Sequence, residues 1–169
     1  MTESGQQLTL IAQLKDVVRN ERSLAQGYQV RQIEHQDRLS LADLYFAVYP
    51  RDIVADVAAA CDEMEQTFTG AYGQLDMVAS PMLRHNHIVV GAVMTVESAP
   101  WPDTPVGPFI IEVMVHPAYQ RLGIAAYLIQ WTARNLIARG KRTMALRVMS
   151  DNTGARALYD KLGFESWDV

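Results

Sequence analysis

The chain has 169 residues, 49% of them apolar, and a formal net charge of -4 at neutral pH. That length holds one domain with a real hydrophobic core, and that apolar share excludes wholesale disorder. The acidic balance argues against a nucleic-acid binder, and no apolar run approaches the roughly 18 residues that cross a bilayer.

In chain order, residues 6–26 set Leu10, Leu14, Val17 and Val18 on one helical face. This predicts an N-terminal helical extension over residues 1–27, ahead of a single main domain over 28–169. The polar first residues do not read as a signal peptide, so the expected setting is the reducing cytoplasm. YQVRQI, residues 28–33, alternates and predicts a strand. Residues 40–48 put Leu41, Leu44, Tyr45 and Val48 on one side of a helix that Pro50 stops. Residues 52–68 predict a second helix, closed by Gly70 and Gly73. The single cysteine, Cys61, lies in it, excludes an internal disulfide and reads as a small buried hydrophobe.

Residues 77–97 are rich in Val and Thr and predict two antiparallel strands. Residues 99–108, with prolines at 100, 102, 105 and 108, predict a loop. Residues 108–115 form an almost unbroken apolar run, the pattern of a buried central strand. A helix over 123–139 closed by Gly140, a strand over 142–149, a helix over 153–162 ended by Gly163 and a last strand over 164–169 follow. With no repeat and no linker, the elements predict a mixed α/β (α+β) domain around a central sheet.

HPAYQRLGIAAYLIQ, residues 116–130, joins the apolar strand to a helix through a short basic loop. A helix N-terminus leaves main-chain N–H groups unpaired and carries about half a positive charge, which suits a phosphate. Gly123 and Ala125 let a ligand approach bare backbone, and Arg121 adds a full charge. The loop lacks the Gly-Lys-Ser/Thr of a nucleotide P-loop and the first two glycines of a dinucleotide fingerprint. Alone, this pattern fits an ordinary tight turn equally well.

About 30 residues on, SDNTGARALYDKLGF spaces Asn152, Ala155, Leu158, Tyr159, Gly163 and Phe164 over the next strand–helix junction. Together with Gln120-x-x-Gly123-x-Ala125, this resembles the GNAT superfamily of acyl-CoA-dependent N-acyltransferases. The resemblance is specific over residues 109–164 and general over the rest of 28–169. Its one departure is Ala125, where glycine is commonest.

The resemblance implies the GNAT fold: a mixed, mostly antiparallel sheet with a splayed parallel pair, flanked by helices. It implies an enzyme that moves an acetyl group from acetyl-CoA to a primary amine by direct attack in a ternary complex. A non-catalytic acyl-CoA-binding module is the alternative. The pantetheine arm would pair with Val113, Met114 and Val115. The pyrophosphate would rest on the loop of Gln120, Arg121, Leu122, Gly123, Ile124, Ala125 and Ala126.

Asn152 would approach the pantetheine, although an asparagine there also reads as a helix N-cap. Tyr159 would be the general acid near the cofactor sulfur. Glu112 is the candidate base, because an acid within an apolar strand is costly unless used or paired; a salt bridge or a solvent-facing edge would also explain it. His116 is a second base candidate at the strand end. His85 and His87 would share one strand face, but no third metal ligand accompanies them. The acceptor site would lie between the first two helices and the proline-rich loop. There Asp52, Asp56, Asp62, Glu63 and Glu65 suit a cationic acceptor or a solvated face, and Trp101 could form a wall. Expected partners are acetyl-CoA and an amine, without nucleic acid or membrane, and a homodimer is possible.

Overall fold

The computed structural model describes residues 5–168; residues 1–4 of the expected extension and Val169 of the expected last strand lie outside them. Seven strands join one sheet. They are β1 (Gln7–Gln13), β2 (Tyr28–Gln32), β3 (Pro81–His85), β4 (Ile88–Val96), β5 (Phe109–Val115), β6 (Thr143–Met149) and β7 (Glu165–Ser166). The helices are α1 (Leu14–Val17), α2 (Arg38–Val48), α3 (Val57–Thr69), α4 (Ile124–Ala138) and α5 (Thr153–Lys161). The strand order is β2-β3-β4-β5-β6-β1-β7, and every neighbouring pair is antiparallel except β5–β6. The expected mixed, mostly antiparallel sheet with one parallel pair is therefore present.

The N-terminal segment corrects the helical reading. Residues 7–13 are a strand, and only four residues of helix follow. Leu10 and Leu14 are four apart, a spacing that serves both periods. Leu8, Leu10 and Ala12 alternate as well, and burial follows that alternation at Leu10 and Ala12. What decides between the two periods is the open edge of β6, which pairs with β1 from Gln7↔Met149 to Gln13↔Thr143. Tertiary pairing overrides a local pattern that admits either structure.

Helix ends follow their residues. Asp56 accepts the Ala59 N–H at 2.8 Å to start α3, and Gly70 ends it with φ 93°. Helices α2 and α3 cover one face of β4 and β5, through Leu41, Leu44, Met64, Met94 and Met114. Helix α4 covers the other face through Ile124, Leu128 and Leu136, joined by Leu14 and Val17 of α1.

Two irregularities shape the centre. Strands β5 and β6 pair only at Phe109↔Ala145 and Ile110↔Leu146, then part. Just there the β4–β5 register shifts, with Met94 opposite Glu112 and Thr95 opposite Ile110, so Ile111 is a bulge. Ile110 points to the α4 side, whereas Ile111, Glu112 and Met114 serve the α2–α3 side. The bulge thus turns Glu112 towards α2.

Gly91 on β4 sets how closely α4 can approach. A Cβ there would meet Ile124 Cγ2 at 2.9 Å and Leu128 Cδ1 at 3.0 Å. Both lie in the first turns of α4, and the branched Ile124 has little freedom to move. Gly91→Ala is expected to destabilise the fold by about 1–3 kcal/mol, read as a lower urea midpoint with an unchanged slope.

Candidate active site

The parting of β5 and β6 opens into a cavity of about 500 Å³. Its floor includes Val115, and its rim carries Gln120, Arg121 and Gly123. Ile124, Ala125 and Ala126 line it from the first turn of α4, and Asn152 from the start of α5. The loop reaches this shape through left-handed backbone at Arg121 (φ 64°) and Gly123 (φ 81°). Glycine adopts that region freely; arginine there costs about 1 kcal/mol or more, a strain that functional sites tolerate. The first helical bond recorded at this end runs from the Tyr127 N–H to the Gly123 carbonyl, 3.0 Å. The N–H groups of Ile124, Ala125 and Ala126 precede it and have no intrahelical acceptor. Their small neighbours, and the positive end of a 15-residue helix, suit this turn to an anion. Leu122, 57% exposed, turns its side chain to solvent.

Main-chain direction on β5 separates the three expected pantetheine positions. The His116 N–H donates to the Val90 carbonyl of β4 at 2.8 Å. In an antiparallel ladder every second residue faces the same neighbour. Met114 therefore also faces β4, opposite Ala92, with its side chain in the core. Val113 and Val115 face the opening, where β6 has withdrawn. Asn152 is the N-cap of α5, its Oδ1 accepting the Ala155 N–H at 3.2 Å, and it lines the cavity as well.

Glu112 lies half-buried beyond the bulge. The Tyr49 hydroxyl donates to its Oε2 at 2.8 Å. Burial raises the Glu112 pKa to about 7; the Tyr49 hydrogen bond opposes that rise, and the negative charge of Glu63 adds to it. Burial also raises the pKa of Tyr49, with the Glu112 charge reinforcing it. Tyr45 packs on Tyr49 with ring centroids 4.5 Å apart. Tyr159 is 7% exposed and leans on Phe164, with centroids 5.6 Å apart. Burial, then the charge of Glu112, pushes its pKa up to about 12.

The other candidates go elsewhere. His116 Nδ1 accepts the Ala118 N–H at 3.1 Å and so caps a 3-10 turn over Pro117–Tyr119. His85 ends β3, bonds the Tyr119 hydroxyl at 2.9 Å through Nδ1 and stacks on Tyr28. His87 sits in the following turn with φ 66°, so the two histidines do not share a strand face as expected. Trp101 packs on Phe109 and lies under Arg147, which pairs with Asp103 at 2.7 Å. It pins its loop at the paired end of β5–β6. Within the acidic helix, Asp56 is a cap, Glu65 pairs with Arg38 at 2.7 Å, and Glu63 is the carboxylate whose charge acts on Glu112.

Sequence reasoning missed Tyr49. It lies 63 residues before its partner and just before a helix-stopping proline, so no local spacing links it to Glu112. It also missed Arg22, which reaches the cavity rim from the N-terminal segment.

Comparison with known proteins agrees with this geometry. The family described as "Acetyltransferase (GNAT) family" matches residues 41–164. An acetyltransferase of Sodalis glossinidius (strain morsitans) is 43% identical over 54 residues, 32% of this chain and 38% of that protein. The chain thus matches well under half the length of that curated relative. The GCN5-related N-acetyltransferase from Sphaerobacter thermophilus superposes with TM-score 0.70 at 16% identity, over 98% of this chain and 49% of that one. The aminoglycoside N-acetyltransferase AAC(6')-Iy in complex with CoA superposes with TM-score 0.64 at 20% identity, over 88% and 93%. At these identities the superpositions speak for the fold alone.

The hydrogen bond from Tyr49 favours ionised Glu112. Tyr49→Phe is expected to move the Glu112 pKa above its value of about 7. A carboxyl-carbon NMR titration reads the shift, and an unchanged or lower value would contradict the assigned bond.

Proposed function

Because the chain belongs to the acetyltransferase (GNAT) family, we propose that it transfers an acetyl group from acetyl-CoA to a primary amine while both are bound. The observation that carries this reading is the cavity where β5 and β6 part, lined by the phosphate-suited turn at 120–126 and by Asn152. Glu112, bonded to Tyr49, lies on the same strand three residues before the cavity-lining Val115.

Each residue has a role in the reading. The loop from Gln120 to Ala126 grips the pyrophosphate through its main-chain N–H groups and Arg121. Val113 and Val115 offer main-chain groups to the pantetheine amides in the manner of an added strand. Glu112, with a pKa of about 7, is half ionised near neutrality and takes the proton that the attacking ammonium must lose. The bulged Ile111 has no pairing partner on β4, and its N–H is the donor we assign to the oxyanion. Tyr159 keeps its proton at neutral pH, since its pKa is about 12, and gives it to the departing thiolate. Glu63 adds negative charge on the acceptor side and favours an acceptor that arrives as a cation.

A thiol-release assay with acetyl-CoA and a panel of amines tests the reading. Turnover on at least one amine is expected, with kcat/KM rising with pH through an apparent pKa near 7 as Glu112 ionises. Glu112→Gln should remove that limb and lower kcat by roughly 10²-fold or more. Tight CoA binding without release on any amine would favour the non-catalytic module instead. Tyr159→Phe is expected to leave CoA affinity unchanged and to lower kcat on the order of 10-fold to 100-fold. A variant that turns over like the parent would remove Tyr159 from the mechanism.

A further inference from the structure

The segment between α1 and β2, residues 18–27, carries no regular structure. It is nevertheless tied to α4 at successive points. Gln130, 2% exposed, donates to the Val17 carbonyl at 3.1 Å and the Asn20 carbonyl at 2.9 Å, and accepts the Arg22 N–H at 2.9 Å. A buried amide that satisfies three main-chain groups of one segment fixes that segment's path. One turn further along α4, Arg134 pairs with Glu21 at 3.4 Å. Val17 and Leu24 anchor the two ends in the core.

This path brings Arg22 to the phosphate turn. Gly123 and Gln130 are seven residues apart, two turns along one face of α4. With its main chain held at Gln130, Arg22 runs its side chain back along that face. Its Nη1 lies 3.3 Å from where a Cβ on Gly123 would stand. Gly123 and Ala126, small residues on this stripe, give the side chain room. Among the described residues no carboxylate lies within ion-pair distance of Arg22, whereas its neighbour Glu21 is taken by Arg134. A guanidinium presents five donors in a flat fork that matches a phosphate.

We propose that residues 18–24 form a strap over α4 that delivers Arg22 as a second cationic ligand to the diphosphate of CoA, opposite Arg121. The proposal rests on the CoA-binding reading above. It gives the N-terminal segment a part in cofactor affinity, and it makes that affinity depend on a residue some 100 positions away from the loop.

Calorimetric titration of the full chain with CoA tests it. Arg22→Ala should raise Kd about tenfold, the size of one lost charge-assisted contact, with thermal stability unchanged because the side chain is exposed. Arg22→Lys should recover part of the loss, since it keeps the charge without the fork. The parent's affinity should fall more steeply with salt than that of Arg22→Ala. Titration with 3'-dephospho-CoA separates the two phosphate sources. An equal loss there is expected for a diphosphate ligand, and a loss that vanishes would overturn the diphosphate assignment. A parent that binds CoA, beside an Arg22→Ala that binds it equally well, would overturn the strap alone. A parent that binds no CoA would overturn the cofactor reading beneath it.

Discussion

Strands β5 and β6 are joined by only two residue pairs, and the rest of the molecule is arranged around that short joint. A parallel pair that parts after two residues leaves main-chain groups without partners in the middle of a sheet. Unmet, each such group costs about 1–3 kcal/mol once it is shielded from water. The fold tolerates the gap because each strand is paired on its other side, interrupted only at the Ile111 bulge. Strand β5 holds β4 along its length, and β6 holds β1 over seven positions. The sheet is thus two well-paired halves meeting at a hinge of two residues, and the opening between them is lined by groups ready to bond a strand-like ligand.

The turn at 120–126 and the Glu112 region of β5 differ in charge for separate physical reasons. At the turn the helix start and Arg121 collect positive charge, and among the described residues no acid lines the cavity there. In the Glu112 region the Ile111 bulge turns Glu112 towards α2, where burial outweighs the Tyr49 hydrogen bond and holds its pKa at about 7. In the proposed function this polarity would orient an extended ligand with an anionic end and a thioester end. Glu63 adds negative charge on the Glu112 side, which in the proposed function favours a cationic amine there and the anionic cofactor at the turn.

Much of this was legible in the sequence, because several signals are local. The strand–loop–helix junction at 115–124, the glycine at 123 and the asparagine at 152 each sit where short-range chemistry demands them. Tyr159 and Glu112 could be singled out by type and context. The N-terminal strand could not, because Leu10 and Leu14 satisfy both periods and the deciding partner, β6, lies more than 130 residues away. The Tyr49–Glu112 bond was hidden for the same reason. The partners of Trp101 and of the two histidines were equally hidden: Trp101 packs on Phe109 under Arg147, His85 bonds the Tyr119 hydroxyl, and His87 leaves the strand face in a turn.

The misread segment also completes the sheet beside the cleft. Without β1, strand β6 would be left with two residue pairs to β5 and otherwise open edges, since β7 bonds to β1 and not to β6. By pairing β6 from Gln7↔Met149 to Gln13↔Thr143, β1 satisfies the edge of β6 that faces away from β5. The chain then passes directly through α1 onto α4 and is held there by Gln130. One continuous stretch therefore completes the sheet beside the gap and then crosses the helix whose N-terminus faces it.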